Sequence, residues 1–265
     1  MTDAELSTLI EAAEAYESLH VPALFGEWAD PVLDAACVGP GDRVLDVACG
    51  TGILARAAVG RGASVAGVDP HPGMLEVAGR LEPSVDWRSG TAEEIPFADG
   101  SFDAVVSQFG LMFFADRVRA VEEMLRVLRP GGAIAVAVWD SLENTPPYAR
   151  EVALLDRRGG EAAGDALRAP FVLGDPDELL ELFREAGVRS PTVARHVGTA
   201  RFPSVGVMVG ADLRGWLPVM GVNLSEETIG RILREAEDVL AEYVVETGEV
   251  VFDSPALIVG GGKDG

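Results

Sequence analysis

The chain has 265 residues, about half of them apolar, and carries a formal net charge of −22 with a pI near 4.4. Such acidity repels nucleic-acid phosphates and anionic headgroups, so no nucleic acid and no stable membrane association is expected, and no apolar run is long enough to span a bilayer. Cys37 and Cys49 make no metal pattern, and the acidic N-terminus lacks the basic and apolar regions of a signal peptide. The reading is a cytoplasmic chain with neither disulfide nor metal.

In chain order, MTDAELSTLIEAAEAYESLH predicts a helix over about 3–18, leading to Leu24-Phe25-Gly26-Glu27-Trp28. Short apolar runs predict strands at 43–48, 64–69, 85–88, 102–108 and 133–139, with helices at 51–61, 72–80 and 117–128 between them. This alternation argues for an α/β fold with a parallel sheet and a ligand at the carboxyl ends of its strands. Residues 141–174 hold the Pro146-Pro147 turn, a helix and a Gly/Ala-rich stretch. Residues 203–247 hold Met208, Trp216, Met220 and a long helix begun by Ser225 and closed near Gly248. The Gly260-Gly261-Gly262 tail is expected to fray.

The run Val44 to Gly52, VLDVACGTG, carries the most information. A buried strand breaks into Gly50-Thr51-Gly52, where the missing Cβ atoms let the backbone approach a ligand. The amides opening the next helix would face the same ligand. Asp69 ends the following strand at the spacing of an acid that grips ribose hydroxyls. These features describe a nucleoside site. Gly50-x-Gly52-x-x-Ala55 also fits the dinucleotide pattern, so an NAD(P)-dependent oxidoreductase is an alternative. Two features argue against it: Asp46 inside the strand would repel a pyrophosphate, and no second glycine-rich turn follows.

Downstream come GTAEEIPFADGSFDAVVSQF and VLRPGG, after VAGVDP. With VLDVACGTG they resemble the ordered motifs of the class I S-adenosylmethionine-dependent methyltransferases, in the group similar to the ubiquinone and menaquinone C-methyltransferases. The likeness spans residues 25 to 140. It implies a doubly wound, mostly parallel, seven-stranded Rossmann-like sheet ending in an antiparallel hairpin at 190–202 and 249–260. It also implies methyl transfer from S-adenosyl-L-methionine to a small organic acceptor through O, N or C; a cofactor-binding protein without catalysis is a further alternative on the same fold.

Carried over by position, the resemblance implies that Asp46, Ala48 and Gly50 border the methionine end, with Gly52 in the same loop. Asp69 would accept the ribose hydroxyls, Pro70 and Met74 would flank the adenine, Thr91 and Ala92 would meet its edge, and Gln108 would border the transferred methyl. The chain departs from the pattern twice. Ala48 replaces the first glycine, and Thr91 stands where many relatives carry Asp, with Glu93 two residues on as a partial substitute.

The whole chain reads as one domain: an N-terminal gate (1–30), a cofactor core (31–140), helical lid insertions (141–174 and 203–248), and segments completing the sheet (175–202 and 249–260). Tyr16, Phe25 and Trp28 resemble the family's gate over the methionine tail. With Phe109, Met112 and Trp216 they are candidate acceptor contacts, their plainer reading being core packing. In-line displacement needs a general base only if the acceptor loses a proton by the transition state. The candidates are His20, beside the gate, with His71, His196, Asp140 and Glu143 behind it.

Overall fold

Seven strands lie side by side in the order β3-β2-β1-β4-β5-β7-β6, in a computed structural model that describes residues 2–264. The chain enters through helix α1 (Asp3–His20), whose Thr2 and Glu5 close a reciprocal capping box, then a π-turn (Val21–Phe25) and α2 (Ala29–Ala35). The first half of the sheet follows: β1 (Arg43–Val47), α3 (Ile53–Gly60), β2 (Ser64–Asp69), α4 (Pro72–Leu81) and β3 (Asp86–Ser89). The second half begins with β4 (Phe102–Gln108), α5 (Arg117–Val127) and β5 (Leu128–Trp139). Then come α6 (Pro146–Arg158), α7 (Glu161–Arg168) and α8 (Pro176–Glu185), and β6 (Arg189–Phe202). Last are α9 (Val205–Ala211), a second π-turn (Asp212–Trp216), α10 (Leu217–Val219), α11 (Glu226–Val239) and β7 (Val250–Gly262).

β1 to β5 run parallel and β7 pairs antiparallel with both β5 and β6, so the sheet is mixed with an antiparallel edge. β1 and β4 are buried along nearly their whole length because helices cover both faces, which is why they read as unbroken apolar runs. Strand order reverses between β1 and β4. That crevice is where α/β sheets hold ligands.

Four expectations need correction. The helix predicted from residue 51 starts at Ile53, because Gly52 takes φ 85° and is its N-cap. β5 begins at Leu128 rather than 133: Leu128 pairs with Phe102, and a bulge then absorbs the Arg-Pro-Gly-Gly turn. The helix begun by Ser225 ends at Val239; Gly248 instead turns the chain between Val245 and Glu249, at φ 88°. The glycine triplet near the C-terminus is strand. Gly260 and Gly262 pair with both β5 and β6, and a Cβ on Gly261 would lie 2.4 Å from Val188. Helix α8 was unforeseen, although Asp175 caps it and Pro176 opens it.

No helix among the described residues is long and apolar enough to cross a membrane, and both cysteines are free thiols.

Candidate functional site

Between β1 and α3 the backbone turns left-handed three times, at Ala48 (φ 57°), Gly50 (φ 53°) and Gly52 (φ 85°). The two glycines serve different ends. A Cβ on Gly52 would lie 2.4 Å from the Trp87 ring, which also rests on Gly67 of β2, so Gly52 is small to pack. A Cβ on Gly50 would meet nothing within 4 Å, so Gly50 faces open space and keeps the backbone accessible there. Ala48 accepts the same left-handed strain with a methyl group. Gly110, after β4, makes room for it, since a Cβ there would lie 2.7 Å from that of Ala48.

The glycine turn binds the two expected acids through its amides. Asp69 is 8% exposed; its Oδ2 accepts from the Gly50 N–H (2.9 Å) and its Oδ1 from the His71 N–H (2.8 Å). Each oxygen keeps a lone pair for a further donor. Burial raises its pKa, against the pull of those two amides. Asp46 sits in mid-strand opposite Gly67 on one side and Val106 on the other, and is 1% exposed. Its Oδ2 accepts from the Ala55 N–H at 3.1 Å. It thereby supplies the side-chain acceptor that Gly52 cannot give the start of α3. Burial is the main cause that pushes the Asp46 carboxyl up to about 8, with Asp69 adding to it and Arg56 opposing. An ammonium group at this position would restore its charge.

Helix α1 closes one side of the crevice. Arg56 donates to Glu17 Oε1 (2.6 Å) and to the Thr51 carbonyl (2.6 Å), tying α1 to the glycine turn. Farther along α1, Leu9 packs on Gly73 of α4 and Glu14 pairs with Arg80. The Gln108 side-chain amide donates to the Phe25 carbonyl at 3.0 Å, holding the π-turn against the end of β4. Aromatic rings line the junction. Tyr16 stacks on His20 (5.5 Å) and on Phe25 (5.4 Å), Phe25 lies 5.6 Å from Phe109, and Phe109 stacks on Trp139 at 3.7 Å with Trp28 edge-on. Phe109 itself takes φ 57°, a conformation an aromatic residue holds only where its surroundings impose it. The phenol of Tyr16 is raised by burial and by the charges of Glu17, Asp69 and Asp46, which puts it within reach of the acids.

Buried polar atoms without a partner gather along the same seam: Glu17 Oε2, His20 Nδ1, Thr51 Oγ1, Ser107 Oγ and Gln108 Oε1. Folded proteins leave few such atoms, so their convergence beside open backbone marks a place built for a polar ligand.

Other candidates fall on either side of this seam. Pro70 is exposed directly after Asp69, Met74 is half-buried in the first turn of α4, and Ala92 is buried next to an exposed Thr91. Met112 is core, its carbonyl held by Arg117. Trp216 ends the second π-turn; its indole donates to the Ala166 carbonyl (2.8 Å) and its ring meets Phe113 (5.0 Å). Glu93, two residues after Thr91, is half-buried. Its Oε1 accepts from the amides of Ala115 and Asp116, which engages it in the loop before α5. Among the possible bases, His71 Nδ1 accepts from the Met74 N–H, Asp140 is ion-paired with Arg195, and Glu143 and His196 are exposed. Only His20 adjoins the seam, and burial lowers its pKa. Glu17 and Arg56 went unnoticed in the sequence. Arg56 gave a signal, since a cation in the first turn of a helix opposes the helix dipole unless an acid meets it.

Residues 45–136 match the family described as a methyltransferase domain. Over 110 residues the chain is 46% identical to the demethylmenaquinone methyltransferase of Renibacterium salmoninarum, covering 42% of this chain and 46% of that protein. It is 32% identical over 229 residues to the enzyme of the same name from Symbiobacterium thermophilum, covering 71% of this chain and 89% of that one. The chain spans about half the length of the first of the curated relatives it matches. The fold matches that of the YcgJ protein from Bacillus subtilis, with a TM-score of 0.58 at 20% identity over 90% of this chain and 99% of that one. The chain belongs to the class I S-adenosylmethionine-dependent methyltransferases.

Proposed function

We propose that this protein transfers a methyl group from S-adenosyl-L-methionine to a small organic acceptor. The observation that carries the proposal is the seam just described, where Asp69 is fixed by two amides beside an open Gly50 and unpartnered polar atoms face the same crevice. Asp69 would accept the ribose hydroxyls through its remaining lone pairs, and Asp46 with Gly50 would border the ammonium end. Pro70, Met74, Thr91 and Ala92 would surround the adenine. The bound sulfonium supplies a methyl group that is already electrophilic, so the protein's task is alignment and exclusion of water.

Gln108 and the rings of Phe25, Phe109 and Trp139 stand at the carboxyl ends of β4 and β5, where they would orient an acceptor. Their flat apolar faces suit an aromatic or lipophilic molecule, in keeping with the quinone substrate named for the relatives. His20, half-buried with its Nδ1 shielded and unpartnered, is the group placed to take a proton if the acceptor must lose one. The segments 141–174 and 203–248 would cover the acceptor side as a lid.

The dinucleotide alternative fares worse, because the helix-terminal Ala55 amide that would serve a pyrophosphate is held by Asp46. Calorimetric titration separates the readings. S-adenosylhomocysteine should bind at one site per chain and NADH should not; NADH binding with no response to S-adenosylhomocysteine would overturn the proposal. Incubation with methyl-labelled S-adenosylmethionine and a panel of quinols, phenols and amines then tests transfer itself. Cofactor binding with no labelled product from any class would favour a non-catalytic binder.

A further inference from the structure

The helices outside the cofactor crevice contain a second buried acidic pair, which methyl transfer as proposed does not use. Glu151, on α6, is 0% exposed, and Asp212, the first residue of the second π-turn, is 7% exposed. The two carboxyl groups lie close enough for each to influence the other's ionisation. No amide, guanidinium or other donor reaches either oxygen of Glu151 or Oδ2 of Asp212. Two carboxylates in contact inside an apolar interior cannot both be charged, so a proton is held between them.

The surroundings offer no substitute for that proton. Tyr148, one turn earlier on α6, is buried against Phe171 and Phe252, and its own ionisation is opposed by burial and then by both acids. Thr145, at the N-cap of α6, is buried with its hydroxyl unpartnered. Several cations of the packed elements are ion-paired elsewhere. Arg157 and Arg158 meet Glu235 of α11, Arg168 of α7 meets Asp156 and Asp165, Arg214 meets Glu226, and Arg150 meets Glu242. Among the described residues no cation is paired with Glu151 or Asp212.

We infer that the proton shared by Glu151 and Asp212 is a latch that fastens the π-turn carrying Trp216 to α6, and that losing it loosens residues 205–219 from the end of the sheet. Asp212 opens the π-turn that ends in Trp216, whose indole holds Ala166 of α7 and whose ring covers Phe113 beyond β4. Removing the shared proton places two like charges side by side in an interior with nothing to screen them. The direction follows from linkage. Burial pushes Asp212 up to about 7 and raises Glu151 well above the usual carboxylate range, both above their unfolded values, so the closed form binds more protons than the open one. Closure is therefore strongest in acid and weakens as pH rises through neutrality. The latch rests on the burial and proximity of these two acids. That it gates the acceptor side rests on the proposed methyl-transfer site.

Hydrogen exchange on the full chain, read by peptide mass and corrected for intrinsic rates, tests the latch. Between about pH 6 and about pH 8.5, protection in 146–158 and 205–219 should fall about tenfold or more, while β1 and β4 stay unchanged. The double variant Glu151→Gln/Asp212→Asn, an uncharged pair, should show no such fall. Should it fail to fold, Glu151→Gln alone leaves a single carboxylate with an amide donor and should flatten the profile equally. Uniform protection of wild type across this range, or a fall that persists in these variants, would overturn the latch. S-adenosylhomocysteine affinity should stay within about twofold in the Glu151→Gln variant. Its abolition there would make the pair a support of the cofactor crevice and overturn the latch, whereas a wild type that binds no S-adenosylhomocysteine would defeat the functional proposal and leave the exchange result standing.

Discussion

Two buried acid pairs sit in this molecule, and they are stabilised by opposite means. Asp46 and Asp69 receive main-chain amides from Ala55, Gly50 and His71, all presented by the turns after β1 and β2. Glu151 and Asp212 receive none and depend on each other. Fixed dipoles hold the first pair and leave lone pairs free for a ligand. The second pair is held only while a proton is shared. The difference lies in the turn chemistry: a glycine-rich turn can point consecutive amides at one spot, whereas the flanks of two helices cannot, their amides being spent on helical bonds.

The strongest way to break the first arrangement is to spoil the turn that supplies the amides. Gly52→Ala brings a methyl within 2.4 Å of Trp87 at φ 85°, so it should cost ~2–4 kcal/mol in urea unfolding. Gly50→Ala, with nothing within 4 Å, should cost only ~1 kcal/mol of backbone strain yet abolish detectable S-adenosylhomocysteine binding. Equal losses of stability at the two positions would remove the distinction between a packing glycine and a ligand glycine.

Asp69→Ala comes next. Loss of charge-assisted hydrogen bonds to the ribose should weaken S-adenosylhomocysteine binding by ~1.5–3 kcal/mol in calorimetry. Unchanged affinity would leave Asp69 as a clamp for Gly50 and His71 alone.

Asp46→Asn sharpens the comparison through pH. An acid raised from 3.8 to about 8 on folding draws stability down as pH climbs between those values, and the amide removes that slope while its oxygen can still accept from Ala55. Relative to wild type, the variant should gain ~3–4 kcal/mol in unfolding free energy on going from about pH 5 to about pH 8. Parallel profiles would mean that Asp46 stays ionised at both.

Ala48→Gly has the smallest expected effect. Relief of the left-handed alanine should stabilise the protein by ~0.5–1 kcal/mol in thermal unfolding, less whatever the methyl gains against Gly110. A loss of stability would show that the Ala48–Gly110 contact outweighs the strain.

Much of the cradle could be read from the chain because its signals are local. VLDVACGTG joins a buried strand to a glycine turn, and Asp69 follows at the end of the next strand. What escaped reading depends on contacts between distant segments. Asp46 was expected to face a ligand, and nothing in its neighbours announces that it also accepts from Ala55 at the start of α3. Glu93 lies in the right motif, and nothing local announces that a loop twenty-odd residues on donates to its Oε1. The glycine triplet looked too weak to be strand, since its partners in β5 and β6 are invisible locally. The Glu151–Asp212 pair was missed for the same reason: each acid alone resembles a solvated residue on an amphipathic helix.

The central claim is that the amide-held Asp69 and the bare Gly50 backbone form one side of an S-adenosylmethionine site. A crystal structure of the protein with S-adenosylhomocysteine tests it most directly. The ribose hydroxyls should lie within hydrogen-bonding distance of Asp69, with the ligand's backbone passing over Gly50. A ligand bound elsewhere, with Asp69 still holding only its two amides, would contradict the account.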